Sequence, residues 1–225
     1  MTFRLPLLAL AAVALAACGT DDAVETTVAA GDDAVTAFVD APDLAAGTYT
    51  IDPSHSRAEF GVRHLGISTV EGTFTGVDGT VTVGDGLGSI EAMAVIDAST
   101  INTGNSDRDG HLRSPDFFDV AQYPEITFQS TDIRPTADGF ILVGDLTMHG
   151  VTRPVELTGE YLGSATAPDG TEKLALAASG EINRQDWGLT WSQTNEAGEL
   201  VVSDDVTLDL EVQANRQPDE AAPEA

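Results

Sequence analysis

The clearest pattern in this chain is the alternation of apolar and polar residues in short runs between residues 47 and 215. Every second residue is apolar in the segments 58–62, 92–96, 126–128, 174–182 and 206–212. A period of two predicts β-strands with one buried and one solvated face. The spacing of these runs predicts seven to nine strands, which is typical of a sandwich or a closed barrel.

Turn and helix signals punctuate these strands. Four dipeptides predict tight turns or hairpins. They are Asp78-Gly79, Asp138-Gly139, His149-Gly150 and Asp169-Gly170. The one good helical stretch is short, from Asn105 to Arg113, with Asn105 or Ser106 as its N-cap and Pro115 ending it.

The predicted inner faces mix large and very small residues. Phe60, Phe74 and Phe128 share these faces with small residues. The small residues are Ala58, Gly72, Ala92, Ala94, Gly144, Ala178 and Gly180. Two interpretations are open: the small residues leave room for a ligand inside a barrel of about eight strands, or the glycines bend strands and the alanines pack against the aromatic rings.

The first seventeen residues read as a signal peptide. Arg4 precedes an apolar run that is too short to span a membrane comfortably, and the run ends at Cys18, the one cysteine of the chain. The run Leu15-Ala16-Ala17-Cys18 resembles the bacterial lipobox, which implies a diacylglycerol on Cys18 and an acyl chain such as palmitate on its amine. The alternative is an ordinary signal peptide with an incidental cysteine.

The lipobox implies a location in the bacterial envelope. We expect the protein to be anchored at Cys18 and to face the periplasm, and Gly19 favours the outer over the inner membrane. Residues 18–46 are rich in small and acidic residues and predict a disordered tether. The domain is then expected at 47–215, followed by a disordered acidic tail at 216–225.

Charge narrows the choice of partners. Thirty-seven acidic residues face ten basic ones, a formal net charge of −27. Such a surface repels phosphate backbones, so nucleic-acid binding is not expected. The acids form a solvated surface or attract a cationic partner, and the composition does not decide between these readings. The oligomeric state is also open, a dimer included.

Five motifs in order resemble one known family. They are residues 49–56 with Phe60 and His64, residues 72–74, residues 107–120, residues 123–128 and residues 144–152. Together they resemble the YceI-like, polyisoprenoid-binding family. The resemblance implies an all-β fold, an extended antiparallel lipocalin-like barrel with a short helix near one end. This chain departs from the family's usual soluble form through its lipobox.

The resemblance also implies a function and a site. It implies that the barrel holds a long apolar lipid (an isoprenoid, a quinone or a fatty chain) for storage, shielding or transport, with no further cofactor. The expected lipid contacts combine inward strand positions with His111, Phe117 and Phe118 near the mouth. They are Phe60, Val62, His64, Phe74, Ala94, Ile96, His111, Phe117, Phe118, Ile126, Phe128 and Leu146.

Other chemistry has weaker support. The four histidines show no metal-binding spacing, so we read them as hydrogen-bonded structural residues, with head-group contact or metal ligation as alternatives. Neither a nucleophile elbow nor a phosphate loop occurs, and residues 52–56 read as a structural turn. We therefore expect no catalysis. A barrel enzyme of the isomerase or cyclase type is the alternative function.

Overall fold

A computed structural model describes residues 44–198 and 200–218. Ten strands, all paired antiparallel, dominate it. The strands are β1 (Gly47–Ile51), β2 (Arg57–His64), β3 (Ser68–Phe74), β4 (Val77–Gly84), β5 (Gly86–Asp97), β6 (Glu125–Pro135), β7 (Phe140–Met148), β8 (Val151–Thr166), β9 (Glu172–Asn183) and β10 (Val202–Arg216). The helical segments are the α-helix α1 (Ser106–Leu112) and two 3₁₀ turns, Ala98–Thr100 and Arg184–Trp187. The predicted all-β class with one short helix is confirmed.

Eight strands close into a barrel. Strands β4 to β10 follow one another in order, and β1 closes the ring by pairing with both β4 and β10. Closure leaves no open edge within the ring, which is the advantage of a barrel over a sandwich. All these pairs lie within residues 47–216, and residues 44–46 add contacts through Leu44, which packs against the core, and the carbonyl of Ala45, which accepts a hydrogen bond from Tyr49.

The hairpin of β2 and β3 extends the wall at one end of the barrel. β10 pairs with β1 near its own C-terminus and with β2 along its first two thirds. β1 and β2 are thus two halves of one broken strand, and so are β3 and β4, which the corner at Thr75 and Gly76 separates. Beyond β3, the wall continues only through a bridge between Thr73 and Asn102.

The segment from residue 98 to residue 124 fills the space beside β3. Asn105 caps α1 by accepting hydrogen bonds from the backbone N–H groups of Asp107 and Arg108. Asp109 is buried and accepts hydrogen bonds from the backbone N–H and the hydroxyl of Thr103, and the hydroxyl holds the pKa of this carboxyl below its usual value. Arg113 donates to the backbone carbonyls of Ser99 and Ile101. These bonds fix the helix across one end of the barrel.

The predicted turns have mixed outcomes. Residues 136–139 and 167–171 turn between strands, and His149-Gly150 forms the β7–β8 turn with positive φ at both residues, as predicted. The turn predicted at Asp78-Gly79 is wrong, because both residues lie within β4. Gly79 has a φ of +145°, and a Cβ there would lie 2.0 Å from the carbonyl oxygen of Met93. The glycine therefore allows two strands to approach closely.

Several sequence predictions lie outside the described residues. The signal peptide, Cys18 and the predicted tether up to residue 43 are among them, as is the tail from residue 219. Of the predicted tail, Arg216 belongs to β10. No helix within the described ranges is both long and apolar enough to cross a membrane.

Candidate ligand-binding cavity

The barrel encloses a cavity of about 230 Å³. Side chains of all ten strands, the helix segment and the loop after β9 form an almost entirely apolar wall. Its large members include Phe60, Phe74, Phe117, Phe118, Ile126, Phe128, Phe140, Leu142, Leu146, Leu157, Leu176, Leu208 and Leu210. A space with such a wall favours an apolar ligand, because a polar ligand group would find few hydrogen-bond partners there.

The small inward residues divide into two groups with different roles. Ala92, Ala94 and Ala178 line the cavity, so these positions do leave room. The glycines behave otherwise: a Cβ on Gly72 would lie 2.3 Å from the Phe60 ring, and a Cβ on Gly144 would lie 2.3 Å from the Phe128 ring. The prediction that Gly144 makes room for a ligand is therefore wrong, because the Phe128 ring already occupies that space.

One end of the barrel is packed solid. Tyr49, Val83, Leu174 and Ala214 are each at most 2% exposed, and none of them lines the cavity. The Tyr49 hydroxyl donates to the carbonyl of Ala45, and burial raises the pKa of this phenol. This closed end comprises the start of β1 and the end of β10, so a ligand cannot enter there without disrupting the core.

The opposite end is covered by the helix segment and the loop after β9. Leu112, Phe117 and Phe118 line the cavity from the helix side, and Leu189 does so from the loop. Phe118 stands edge-on to Phe74, with ring centroids 5.6 Å apart. The rings of Phe117 and Trp191 also pack together, with their centroids 5.2 Å apart. The cover consists of side chains on short segments, whereas the closed end is part of the strand framework.

Arg184 is the buried charge at the covered end. Its side chain is 6% exposed and forms an ion pair with Asp204 at 2.7 Å. The remaining guanidinium bonds go to the backbone carbonyls of Ser203, Leu189 and Trp191. Arg184 therefore fixes the loop that carries Leu189 and Trp191, and its donors are already engaged. The other charged lining residues, Arg57 and Glu59, have half-exposed side chains and pair with each other at 3.4 Å.

The structure brings most of the predicted lipid contacts together. Ten predicted residues line the cavity: Phe60, Val62, Phe74, Ala94, Ile96, Phe117, Phe118, Ile126, Phe128 and Leu146. His64 and His111 do not. His64 ends β2, and the His111 ring is held by Asp116 at 2.9 Å and packs edge-on against Phe117 and Trp191. That any of these residues contacts a lipid stays a prediction.

Sequence reasoning missed part of the wall. Leu208 and Leu210 of β10 and Leu176 of β9 line the cavity, and their alternation with polar residues was a usable signal. Arg184 and Leu189 gave no such signal, because they lie in a 3₁₀ turn and a loop without periodicity.

The contacts of the two remaining histidines, His55 and His149, indicate structural roles. His55 Nδ1 lies 2.9 Å from Asp52 Oδ2 and 3.0 Å from Ser54 Oγ. A catalytic relay needs the two ring nitrogens to face different partners, whereas here one nitrogen faces both. His149 Nδ1 lies 3.2 Å from the carbonyl of Trp187, and its ring packs on Tyr123. Over residues 44–198 and 200–218, no group of three or more His, Cys, Asp or Glu residues is placed to hold a metal ion.

Comparison with known proteins identifies the fold family. The family model described as the YceI-like domain matches residues 49–214. The chain belongs to the YceI-like family. A UPF0312 protein of Yersinia pestis (strain Pestoides F) is 35% identical over 148 residues, which cover 64% of this chain and 77% of the relative. A UPF0312 protein of Yersinia enterocolitica matches to the same extent.

Solved structures agree with this YceI-like assignment. The YCEI protein of Campylobacter jejuni is 31% identical, with a TM-score of 0.59 over 69% of this chain and 90% of that protein. BcnA of Burkholderia cenocepacia shares the fold at 19% identity, with a TM-score of 0.64 over 73% of this chain and 99% of BcnA. A polyisoprenoid binding domain from Saccharophagus degradans shares it at 22% identity, with a TM-score of 0.54 over 75% of this chain and 98% of that domain.

Proposed function

We propose that this YceI-like domain binds a long apolar lipid chain, such as an isoprenoid, a quinone or a fatty chain, inside its barrel. The observation that carries the proposal is the enclosed cavity of about 230 Å³ with its apolar wall. The polyisoprenoid binding domain of the Saccharophagus degradans relative supports the same class of ligand.

The wall suits a hydrocarbon energetically. Burial of one CH₂ group is worth about 0.8 kcal/mol, so each five-carbon isoprene unit contributes roughly 3 to 4 kcal/mol. Affinity should therefore rise steeply with the length of the lipid until the cavity is full. Because Arg184 bonds to Asp204 and three backbone carbonyls, and Arg57 pairs with Glu59 and Glu211, the described wall offers little positive charge to a head group. Length and shape, more than head-group chemistry, then select the ligand.

We further propose that the domain acts in the bacterial envelope. The support is the lipobox-like run that ends at Cys18. Acylation of Cys18 would keep the domain at a membrane while its cavity stores, shields or carries a lipid. Replacing Cys18 with Ser should remove the lipid anchor, so a variant that stays fully membrane-bound after signal cleavage would contradict this part of the proposal.

Lipid extraction combined with native mass spectrometry tests the binding proposal. The purified wild-type domain should carry an apolar lipid that dissociates as a defined mass. Ala94→Trp should place an indole in the cavity, so lipid content should fall at least tenfold while unfolding stays cooperative. Glu91→Trp, on the outer face of the same strand, is the matched control and should keep its lipid.

Two outcomes of this experiment would overturn the proposal. The first is that no lipid is found in the wild-type domain after expression in a bacterial envelope and none is taken up from added isoprenoids. The second is that Ala94→Trp lowers stability by the roughly 1 to 3 kcal/mol expected for an overpacked core without changing lipid content.

A further inference from the structure

The tip of the β2–β3 hairpin presents apolar side chains to solvent. Ile67 is 82% exposed, the highest value among the exposed large hydrophobic residues of the described chain. A Cβ on the neighbouring Gly66 would meet no atom within 4 Å. Leu200, on the loop before β10, is also exposed, at 38%. This tip, defined by Leu65, Gly66, Ile67 and Leu200, projects from the barrel.

The turn at this tip has an unusual residue for its geometry. The backbone N–H of Ile67 donates to the carbonyl of His64, so Leu65 and Gly66 are the two central residues of the turn. Both have positive φ, +52° and +69°. Such turns favour Asn-Gly or Asp-Gly, because a bulky side chain is disfavoured at positive φ. An apolar residue at this position does not serve the turn itself.

The hairpin part of the tip also lacks acidic residues, whereas Glu199 immediately precedes Leu200 in the sequence. No Asp or Glu occurs between Glu59 and Glu71, the longest such interval in residues 44–218. The charge that does occur there is basic: Arg63 donates to the carbonyl of Gly66 and the hydroxyl of Thr69. In a chain with a net charge of −27, the β2–β3 hairpin therefore presents Ile67 with no acidic residue near it in the sequence.

The tip lies at the covered end of the cavity. His64 pairs with Val202, and the backbone N–H of Leu65 donates to the carbonyl of Val201. Val62 and Val202, immediately next to these residues, line the cavity. The cavity wall therefore ends within a few residues of the tip, at the end opposite the packed closed end that contains Tyr49 and Leu174.

We propose that this tip inserts into the surface of a lipid bilayer and brings the covered end of the cavity to the membrane. The inference rests on the proposed function, because a barrel that exchanges lipid must dock on its source. A few projecting side chains suit shallow insertion, whereas a stable protein interface needs on the order of 800 Å² per partner. The net charge of −27 disfavours anionic surfaces, so the docking surface is zwitterionic or neutral lipid.

Vesicle flotation tests the proposal with the chain from residue 19 onward, which lacks Cys18 and therefore any lipid anchor. This chain keeps every strand of the barrel and residues 44–46, which contact it, so it should fold. Phosphatidylcholine vesicles should float the wild-type protein. Ile67→Asp should reduce the bound fraction at least fivefold, and Ile67→Trp should increase it. Leu162→Asp is the matched control, because Leu162 is 47% exposed on the barrel wall, and its binding should equal that of the wild type.

Several outcomes would overturn the proposal. They are wild-type protein that does not float, equal losses for Ile67→Asp and Leu162→Asp, or binding that requires anionic vesicles. A concentration-dependent dimer that Ile67→Asp dissociates would assign the tip to a second copy of the chain instead. Lipid extraction from the same samples separates the two proposals. If lipid is absent from every variant, cavity binding is contradicted. If flotation is lost while lipid content stays normal, the result bears on the role of the tip and leaves cavity binding unaffected.

Discussion

The closed end and the hollow middle of the barrel use the same alternating strands but fill the interior differently. At the closed end, Tyr49 and Leu174 are 2% and 1% exposed, and their side chains pack into a solid plug. In the middle, Leu208 and Ala94 of similar strands border the cavity. The inward positions of a β-barrel therefore do not by themselves determine whether it is packed or hollow. The side chains that meet across the interior at each level determine it.

The largest expected effect compares two leucines from these regions. Leu174→Ala should cost about 2 to 5 kcal/mol in the free energy of unfolding, because it opens a void in close-packed surroundings. Leu208→Ala in the lipid-free protein should cost only about 1 to 2 kcal/mol, because its side chain already borders a cavity. Urea denaturation of both variants measures the difference. Equal costs would mean that the middle is packed as tightly as the closed end.

The next effect concerns the cover. Phe118 lines the cavity and stands edge-on to Phe74, so Phe118→Ala should open the covered end and speed release of a bound fluorescent polyene fatty acid about tenfold. Val120→Ala is the control on the same segment, because Val120 packs against the core but does not line the cavity. Stopped-flow release gives both rates. Identical rates for the two variants would place the exit elsewhere.

Much of the fold could be predicted because alternation is a local signal. The inward faces of β2, β5, β6, β9 and β10 follow from residues two apart, and the cap of α1 follows from Asn105. The same signal predicted part of the cavity wall, including Phe60, Ala94 and Phe128.

The sequence does not show which side chain, distant along the chain, fills the space beside each small inward residue. Gly144 and Ala94 look equivalent as small inward residues. The Phe128 ring covers Gly144 and leaves Ala94 at the cavity, and only the pairing of β6 with β7 reveals this. Asp78-Gly79 has the composition of a turn but lies within β4, because Gly79 is used for the close approach of Met93. The ion pair of Arg184 and Asp204 joins a 3₁₀ turn to the start of β10, and no local pattern indicates that pairing.

The smallest expected effect lies at the corner that joins the two regions, between β1 of the closed end and β2 of the cavity end. Asp52 accepts hydrogen bonds there from the backbone N–H and hydroxyl of Ser54, and contacts His55 at 2.9 Å. Gln213 and Asn215 of β10 approach the same carboxylate. The Ser54 and His55 side chains are the main causes that hold the pKa of Asp52 well below its usual value.

A lowered pKa in the folded state means that ionised Asp52 stabilises the fold. That contribution is fully present above the unfolded pKa of about 3.9 and is lost as the pH falls below it. Asp52→Asn should therefore cost about 1 kcal/mol at pH 7, the usual size for a hydrogen bond to a charged group that is partly kept. The difference from the wild type should shrink below about pH 4, because the Asp52 carboxyl takes up a proton in the unfolded chain while it stays ionised in the folded one. Urea denaturation at pH 7, 5 and 3 measures this difference, and a constant value across the series would show that the charge of Asp52 does not hold the corner.

Because Asp52 lies outside the cavity wall, lipid content at pH 7 should stay at the wild-type level, which would separate the stability of the corner from the binding of the ligand.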